Sequence, residues 1–220
     1  MKNNTKVITK NMAKKEIINK DYQLINARYK LSAVQAKIIL KVLSLINNKE
    51  DTNFMSYRIP LSHFDFLIKN DNYSRLKKEA KTIMEKVLEI DTGNGWLLTH
   101  WFSDFEYNSK ESSIQCSISP KLKPYLLQLK KNFKPYEIQY VMQMDSEYAM
   151  RIYELCKQYE NTFTKKREFE ITELHKLMQV PKSYTKKYID FRIKVLDTAV
   201  REINKYSDIF ISYEAKKRGR

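Results

Sequence analysis

Apolar residues recur at helical spacing in several stretches of this chain. The first begins at Ser32, which forms a Ser-x-x-Gln capping box with Gln35 and is followed by apolar residues every three or four positions. The same spacing predicts helices over 73–89, 146–160 and 189–204. In the last of these, one apolar stripe is predicted to face the core: Ile189, Ile193, Leu196, Val200 and Ile203.

Strand signals lie between these helices. A strand over 57–59 precedes a short helix at 64–68, which leads to the helix 73–89. Two strands then flank Gly93-Asn94-Gly95, a turn that needs positive φ, and a third strand is predicted over 113–119. This order of strand, short helix, long helix and hairpin is that of a winged helix.

The second half repeats the order. A strand over 167–171, a short helix 173–179 capped by Thr172, the long helix, and a strand over 209–213 follow one another. We therefore predict an α+β fold with two winged-helix domains in tandem, related by a pseudo-twofold axis. Their predicted boundaries are 21–132 and 145–220, joined by a packed connector over 133–144. No returning strand follows the terminal KKRGR, so the second wing is predicted to be truncated.

The charge of the chain says more about its function than its overall composition does. The formal net charge is +15, an excess that favours a polyanionic partner such as nucleic acid. Residues 1–20 are strongly basic and are predicted to form a mobile arm. Hydrophobic residues make up 42% of the chain, which is enough for a packed core.

Several kinds of chemistry find no support in the sequence. With three glycines, neither a Walker loop nor a dinucleotide fingerprint is present, and the three histidines are scattered. Cys116 and Cys156 suggest neither a zinc site nor a disulfide framework. No apolar run approaches the ~20 residues of a membrane span. We expect no enzyme, cofactor, metal or membrane contact, and a cytoplasmic location.

The candidate binding residues are cations on the two predicted groove helices and the second wing. In a winged helix, the third helix enters the major groove and the wing contacts the backbone or minor groove. Arg192 is the best candidate for a base contact, because guanidinium pairs bidentately with guanine. The other candidates in the second domain are Lys182, Lys186, Lys187, Lys194, Lys216, Lys217, Arg218 and Arg220, and those in the first are Arg75, Lys77, Lys78 and Lys81. For any single lysine, a solvent-exposed side chain without a ligand is an equally good interpretation.

Four segments resemble the replication initiator proteins of iteron-containing bacterial plasmids: LINARYKLSAVQAKIIL, YAMRIYELCKQYE, FEITELHKLMQV and the C-terminal YIDFRIKVLDTAVREINKYSDIFISYEAKKRGR. The resemblance implies two winged helices that bind double-stranded origin DNA at direct repeats. It also implies origin opening, recruitment of the host initiator and replicative helicase, and a homodimer through the first domain that represses its own promoter.

Two other functions remain open at this stage. A winged-helix transcriptional regulator without a replication role has the same composition, and a dimeric scaffold is the third possibility, although it leaves the charge unexplained. A group of aromatic residues marks a candidate dimer surface in the first domain, because alternate strand residues face away from the core: Trp96, Trp101, Phe102, Phe105 and Tyr107.

Overall fold

The computed structural model describes residues 5–7, 16–65 and 73–216. Its strands are β1 Thr5–Val7, β2 Ile17–Asp21, β3 Ser56–Pro60, β4 Leu88–Asp91, β5 Trp96–Thr99, β6 Phe102–Asn108, β7 Ser113–Ile118 and β8 Phe133–Glu137. Its α-helices are α1 Tyr22–Ile25, α2 Ala33–Leu43, α3 Tyr73–Met84, α4 Lys123–Leu126, α5 Ile138–Met142, α6 Glu147–Lys157, α7 Ile171–Leu177, α8 Lys182–Thr185, α9 Tyr188–Phe191 and α10 Thr198–Tyr206. Short 3₁₀ helices occupy Leu61–Phe64 and Pro120–Leu122.

A four-stranded sheet forms the centre of the first half, in the order β1-β3-β7-β6. β1 runs parallel to β3, and the other neighbours are antiparallel. Strand alternation places Tyr57 and Ile59 of β3, and Ile114 and Cys116 of β7, on the buried face. These side chains join the inner faces of α2 and α3 in one core, the layered packing of helix on sheet.

The wing of this half lies elsewhere than the sequence predicts. The strand predicted after the glycine turn is two strands, β5 and β6, which belong to different sheets. They separate at Trp101, which is 1% exposed and packs edge-on against Tyr29, with ring centroids 5.3 Å apart. β4 and β5 form their own hairpin around Gly93 and Gly95. The strand beside β3 is β7, whose antiparallel partner is β6, so the wing is the turn 109–112.

The predicted start of α2 is confirmed. Ser32 Oγ accepts a hydrogen bond from the Gln35 amide at 3.3 Å, and Gln35 Oε1 accepts one from the Ser32 amide at 3.0 Å. These two bonds satisfy donors that the first turn of a helix otherwise leaves without partners. The short helix predicted at 64–68 is preceded by the 3₁₀ helix Leu61–Phe64, and residues 66–68 lie outside the described part of the chain.

α3 is shorter than the apolar spacing suggests. It ends at Met84 and not at 89, because the chain enters β4 at Leu88 and pairs there with β5. Val87, which continues the helical spacing of apolar residues, lies beyond the helix and is exposed. The preceding apolar residues at this spacing are buried: Leu76, Ala80 and Ile83.

The prediction of a mobile arm over 1–20 is wrong at two places. β1 pairs with β3, and β2 pairs antiparallel with β8 over its whole length. Lys20 in β2 is only 2% exposed, and its Nζ lies 2.5 Å from the Glu154 carboxylate of α6, which compensates the buried charge. The basic composition of the segment therefore does not keep it apart from the fold: one of its lysines is a core residue.

The second half contains one continuous helix over 188–206. It consists of α9, a π-helical stretch Arg192–Asp197, and α10. Its predicted buried stripe is wrong at Ile189 and Ile193, which are 44% and 52% exposed. The prediction is confirmed at Ile203, which is buried together with residues outside the predicted stripe, each of them no more than 1% exposed: Phe191, Val195 and Ala199.

Neither strand predicted for the second half is present. Residues 167–170 and 209–213 form no ladder, since no second strand lies beside either of them in the described part of the chain. α7 begins at Ile171 and its N-cap is Glu170, so Thr172 does not cap it. The residues that follow the helix, 207–216, are called the wing segment and are attached to the helix 188–206. Asn204 Oδ1 accepts a hydrogen bond from the Ile211 amide at 2.8 Å, and Asn204 Nδ2 donates one to Ile211 O at 2.9 Å.

The segment 133–144 is part of the packed structure. It forms β8, which pairs with β2, and α5, which buries Ile138 and Val141. The largest core cluster continues from the first half through α6 into α10, where Ala199 and Ile203 belong to it. A second cluster lies under α7 and α9 and includes Ile25 of α1. The N-terminal segment thus contributes to the packing of both halves.

Candidate nucleic-acid interface

A row of exposed lysines precedes the helix 188–206. Lys182 lies in the single turn of α8, and Lys186 and Lys187 lie between α8 and α9. Pro181 is the N-cap residue of this turn, a position that suits proline because its amide makes no hydrogen bond within the helix. Among the described residues, no carboxylate lies within ion-pair distance of these three side chains. Their charges are therefore available to phosphate groups.

Arg192 and Lys194 are half exposed on the same helix and are engaged in weak ion pairs. Arg192 Nε lies 3.6 Å from Asp197 Oδ2, and Lys194 Nζ lies 3.7 Å from Asp190 Oδ1. The Lys194 ammonium also lies 4.5 Å from the centre of the Tyr184 ring. Exposed pairs of this kind contribute about 0–1 kcal/mol, so a DNA ligand can displace the carboxylates.

The π-helical stretch Arg192–Asp197 lies at the centre of this surface. At its end, Thr198 Oγ1 donates a hydrogen bond to Ile193 O at 3.1 Å. Such stretches are rare in proteins and are frequent at functional sites. Nothing in the sequence predicted it, because the apolar residues around it follow ordinary α-helical spacing.

The helix 188–206 rests on α7 through an aromatic contact. The rings of His175 and Phe191 meet edge to face, with centroids 4.4 Å apart. Burial lowers the pKa of His175, and its Nε2 has no hydrogen-bond partner among the described residues. The imidazole is therefore a neutral packing group.

The wing segment of the second half lies against the same helix. Tyr213 Oη donates to Asp197 Oδ1 at 2.5 Å, and burial together with this bond raises the pKa of Tyr213 to about 12. Lys216 is exposed, with its Nζ 4.0 Å from Glu214. The remaining predicted cations of this wing lie outside the described residues: Lys217, Arg218 and Arg220.

The first half presents its own row of cations on α3. They are exposed on the face opposite Leu76 and Ile83: Arg75, Lys77, Lys78 and Lys81. Glu79 lies between them in sequence, but its Oε2 accepts a hydrogen bond from Gln35 Nε2 of α2 at 2.9 Å. This carboxylate is held towards α2, which limits how far it weakens the positive surface.

The sequence missed Lys110 because it placed the wing at the wrong turn. Lys110 is exposed in the turn 109–112 between β6 and β7. Asn108 Oδ1 accepts from the amides of Lys110 and Glu111, which fixes this turn. Glu111 pairs with Arg58 of β3 at 2.8 Å, leaving Lys110 as a cation at the tip. Only the strand pairing of β6 with β7 reveals this position.

Neither a metal site nor a membrane span is found in the described part of the chain. No three His, Cys, Asp or Glu side chains within 5–7, 16–65 and 73–216 are grouped so as to hold a metal ion. Over the same residues, none of the helices has both the length and the apolar character that crossing a bilayer demands.

Comparison with known families matches nearly all of the chain. Residues 17–157 match the family described as Initiator Replication protein, WH1, and residues 170–220 match Initiator Rep protein, WH2. The chain belongs to the initiator replication protein family. The predicted resemblance is thereby confirmed, as are the α+β class and the tandem winged helices. The α3 cations fall within the WH1 match, and every candidate from Lys182 to Arg220 falls within the WH2 match.

Two known proteins are similar to this chain over most of its length. A Replication initiation protein from Escherichia coli is 26% identical over 215 residues, which cover 93% of this chain. The chain spans 66% of that relative's length. The crystal structure of the Pi initiator protein in complex with iteron DNA matches with a TM-score of 0.74 and 18% identity, covering 95% of this chain and 94% of that one. At this identity the match establishes the fold.

Proposed function

We propose that this chain is a sequence-specific, double-stranded DNA-binding plasmid replication initiator. It binds direct repeats at the origin, initiates replication there and represses its own promoter. Family membership supports this proposal, and the similar Pi protein is bound to iteron DNA in its crystal structure. The role is one of binding and assembly in the cytoplasm, without a catalytic step by this chain.

The observation that carries the proposal is the row of cations at the start of the helix 188–206. Lys182, Lys186 and Lys187 are exposed and lack ion-pair partners in the described part of the chain. They precede the helix that a winged helix inserts into the major groove. Arg192 follows one turn later, where a base contact is made. In the first half, the α3 cations and Lys110 have the same arrangement of helix and wing.

The first test is selection of a preferred duplex from a random-sequence library, followed by affinity measurements at several salt concentrations. If the two helices and wings neutralise about 6–10 phosphates, log K falls with log[salt] with a slope of about −5 to −9. A slope shallower than about −3, or the absence of a preferred sequence, would contradict the proposal. The control is a charge reversal at Lys49, an exposed lysine outside these surfaces, which should leave the salt dependence unchanged.

Replication itself needs a separate test, because a transcriptional regulator also selects a DNA sequence. The gene is supplied in trans to a plasmid that carries the origin with its direct repeats but lacks the gene. Maintenance of that plasmid supports the initiator. Specific binding without maintenance would favour a winged-helix transcriptional regulator.

We also propose a homodimer through the first domain, with the host initiator and the replicative helicase as further partners. The family resemblance implies these partners, and the hairpin β4–β5 supports the dimer. Trp96 is 71% exposed and Leu98 is 52% exposed, on the same face of β5, whereas Trp101 and Phe102 are buried in the core. Trp96→Ser should shift the sedimentation equilibrium towards monomer. An unchanged equilibrium would remove this hairpin as the dimer surface.

A further inference from the structure

Two isoleucines point away from the core on the helix 188–206. Ile189 and Ile193 are 44% and 52% exposed and are four residues apart, so they lie on one face of the helix. The core-facing stripe through Phe191 and Val195 holds the helix in place without them. An exposed β-branched residue also lowers helix propensity, so local stability gives no reason for either isoleucine.

The surroundings of this pair are charged. Arg192 and Lys194 flank Ile193, and Lys186 and Lys187 precede Ile189; all four are exposed. Scattered exposed apolar residues are ordinary on protein surfaces. Two carboxylates also lie nearby, Asp190 and Asp197, each in a long ion pair with Lys194 or Arg192. Four cations against two anions leave an excess of positive charge around the pair, and a polyanion with an apolar group between its phosphates complements such a face. Duplex DNA provides that group in the major groove, as the C5-methyl of thymine.

We propose that Ile189 and Ile193 recognise thymine by contacting its C5-methyl groups in the major groove. This inference rests on the proposed function, because it assumes that the helix 188–206 enters the groove. Residues one helical turn apart are separated by about 6 Å along the axis, and successive base pairs by about 3.4 Å. The two side chains therefore reach thymines about two base steps apart, on either side of the base pair that faces Arg192.

The test removes the methyl groups without changing base pairing. The duplex preferred in selection from a random library is resynthesised with deoxyuridine in place of thymine, one position at a time. Wild-type affinity should fall at two positions, by about fourfold for each methyl group, the transfer preference of one buried carbon. Ile189→Ala should abolish the effect at one of these positions and Ile193→Ala at the other.

Ile171→Ala is the matched control, since Ile171 is 43% exposed on α7 and outside this face. It should retain the sensitivity to deoxyuridine at both positions, and thermal unfolding should show that all three variants remain folded. Wild-type binding that is indifferent to deoxyuridine everywhere would overturn this inference while leaving the proposed function intact. Failure to select any duplex would overturn both.

Protein contact is the other use of an exposed apolar pair. Sedimentation of Ile189→Ala and Ile193→Ala without DNA distinguishes it. The inference predicts an unchanged oligomeric state. A change of that state, together with unaltered sensitivity to deoxyuridine, would assign the face to a second copy of this chain and overturn thymine recognition.

Discussion

Arg192 is the residue at which the free protein and the proposed complex must differ. Its Nε lies 3.6 Å from Asp197, and Asp197 also accepts a hydrogen bond from Tyr213 of the wing segment. The carboxylate therefore keeps a second partner when the guanidinium leaves it for a base. Because the ion pair is half exposed and long, breaking it costs about 1 kcal/mol at most.

We predict that Arg192→Ala weakens binding to the selected duplex by about 1–3 kcal/mol and relaxes preference at one base pair. The fold should be preserved, since replacement of an exposed helical residue usually changes stability by less than about 0.5 kcal/mol. Affinities for the duplex and its single-base variants, together with thermal unfolding, measure both effects. An equal loss on every sequence would mean that Arg192 contacts phosphate.

His175 links stability to pH. Burial against Phe191 lowers its folded-state pKa below the ordinary value, so the unfolded chain binds a proton more readily. The stability that neutral His175 contributes is complete above the unfolded pKa of about 6.5 and is lost as pH falls through the lowered folded pKa. Lowering the pH from 7 to 5 should therefore reduce the free energy of unfolding, and His175→Phe should lessen that reduction.

Urea unfolding at each pH measures the effect. Carboxylates also titrate as the pH falls, so the informative quantity is the difference between wild type and variant. His100→Gln is the control, because His100 is exposed and its Nδ1 contacts only Lys86 O in the described structure. Equal pH dependence in wild type and His175→Phe would show that the imidazole contributes nothing.

At the scale of elements, the sequence predicts what is local. The capping box at Ser32 is decided within one helical turn, and the structure confirms it. Strand partners are decided by distant segments: β7 lies between β3 and β6, and the turn at Trp101 depends on its packing against Tyr29. No local pattern in the strands specifies these partners. The sequence therefore places the first wing at the wrong turn and does not identify Lys110 as a wing residue.

The helix 188–206 shows a second limit. It carries two apolar series at helical spacing, one through Ile189 and Ile193 and one through Phe191 and Val195. Periodicity identifies the helix but does not choose between the two series. Packing against α7 decides which series is buried, because Leu174 and Leu177 of α7 form an apolar cluster with Phe191. The exposure of Ile189 and Ile193 therefore follows from the tertiary packing and not from the sequence pattern.

The cations of α3 and those before α9 belong to different elements and can be tested separately. Each lysine that contacts a phosphate contributes about one unit to the salt dependence of binding. We predict that Lys186→Ala/Lys187→Ala and Lys77→Ala/Lys78→Ala each make the slope of log K against log[salt] shallower by about 2. Titrations of the selected duplex at several salt concentrations give these slopes.

Lys130 and Lys131 provide the control for this comparison. They are consecutive exposed lysines between α4 and β8, outside both groups. Their replacement by alanine should leave the slope unchanged. If the α3 variant behaves like this control, α3 does not contact DNA phosphates and its exposed face is available to a protein partner.

At the scale of the molecule, a buried charged cluster joins the N-terminal strand to the second half. Lys20 of β2 and Arg151 of α6 both contact the Glu154 carboxylate, which also accepts a hydrogen bond from Tyr136 of β8. Arg151 in turn donates to Tyr29 Oη at 2.5 Å. Burial alone would raise the pKa of Glu154, but Lys20 and Arg151 outweigh it and hold that pKa below its usual value.

Removing one charge from this cluster leaves the other without compensation in the core. Glu154→Gln should lower the free energy of unfolding by about 3–5 kcal/mol, because Lys20 then remains buried without a counterion. The same change in a Lys20→Met background should cost less. Urea unfolding of the four proteins measures this coupling. Glu89→Gln breaks a similarly short but exposed pair, with Arg28 at 2.6 Å, and should cost less than about 1 kcal/mol. Equal costs for the two single variants would mean that solvent reaches the cluster, and that the charged contacts do not hold β2 to α6.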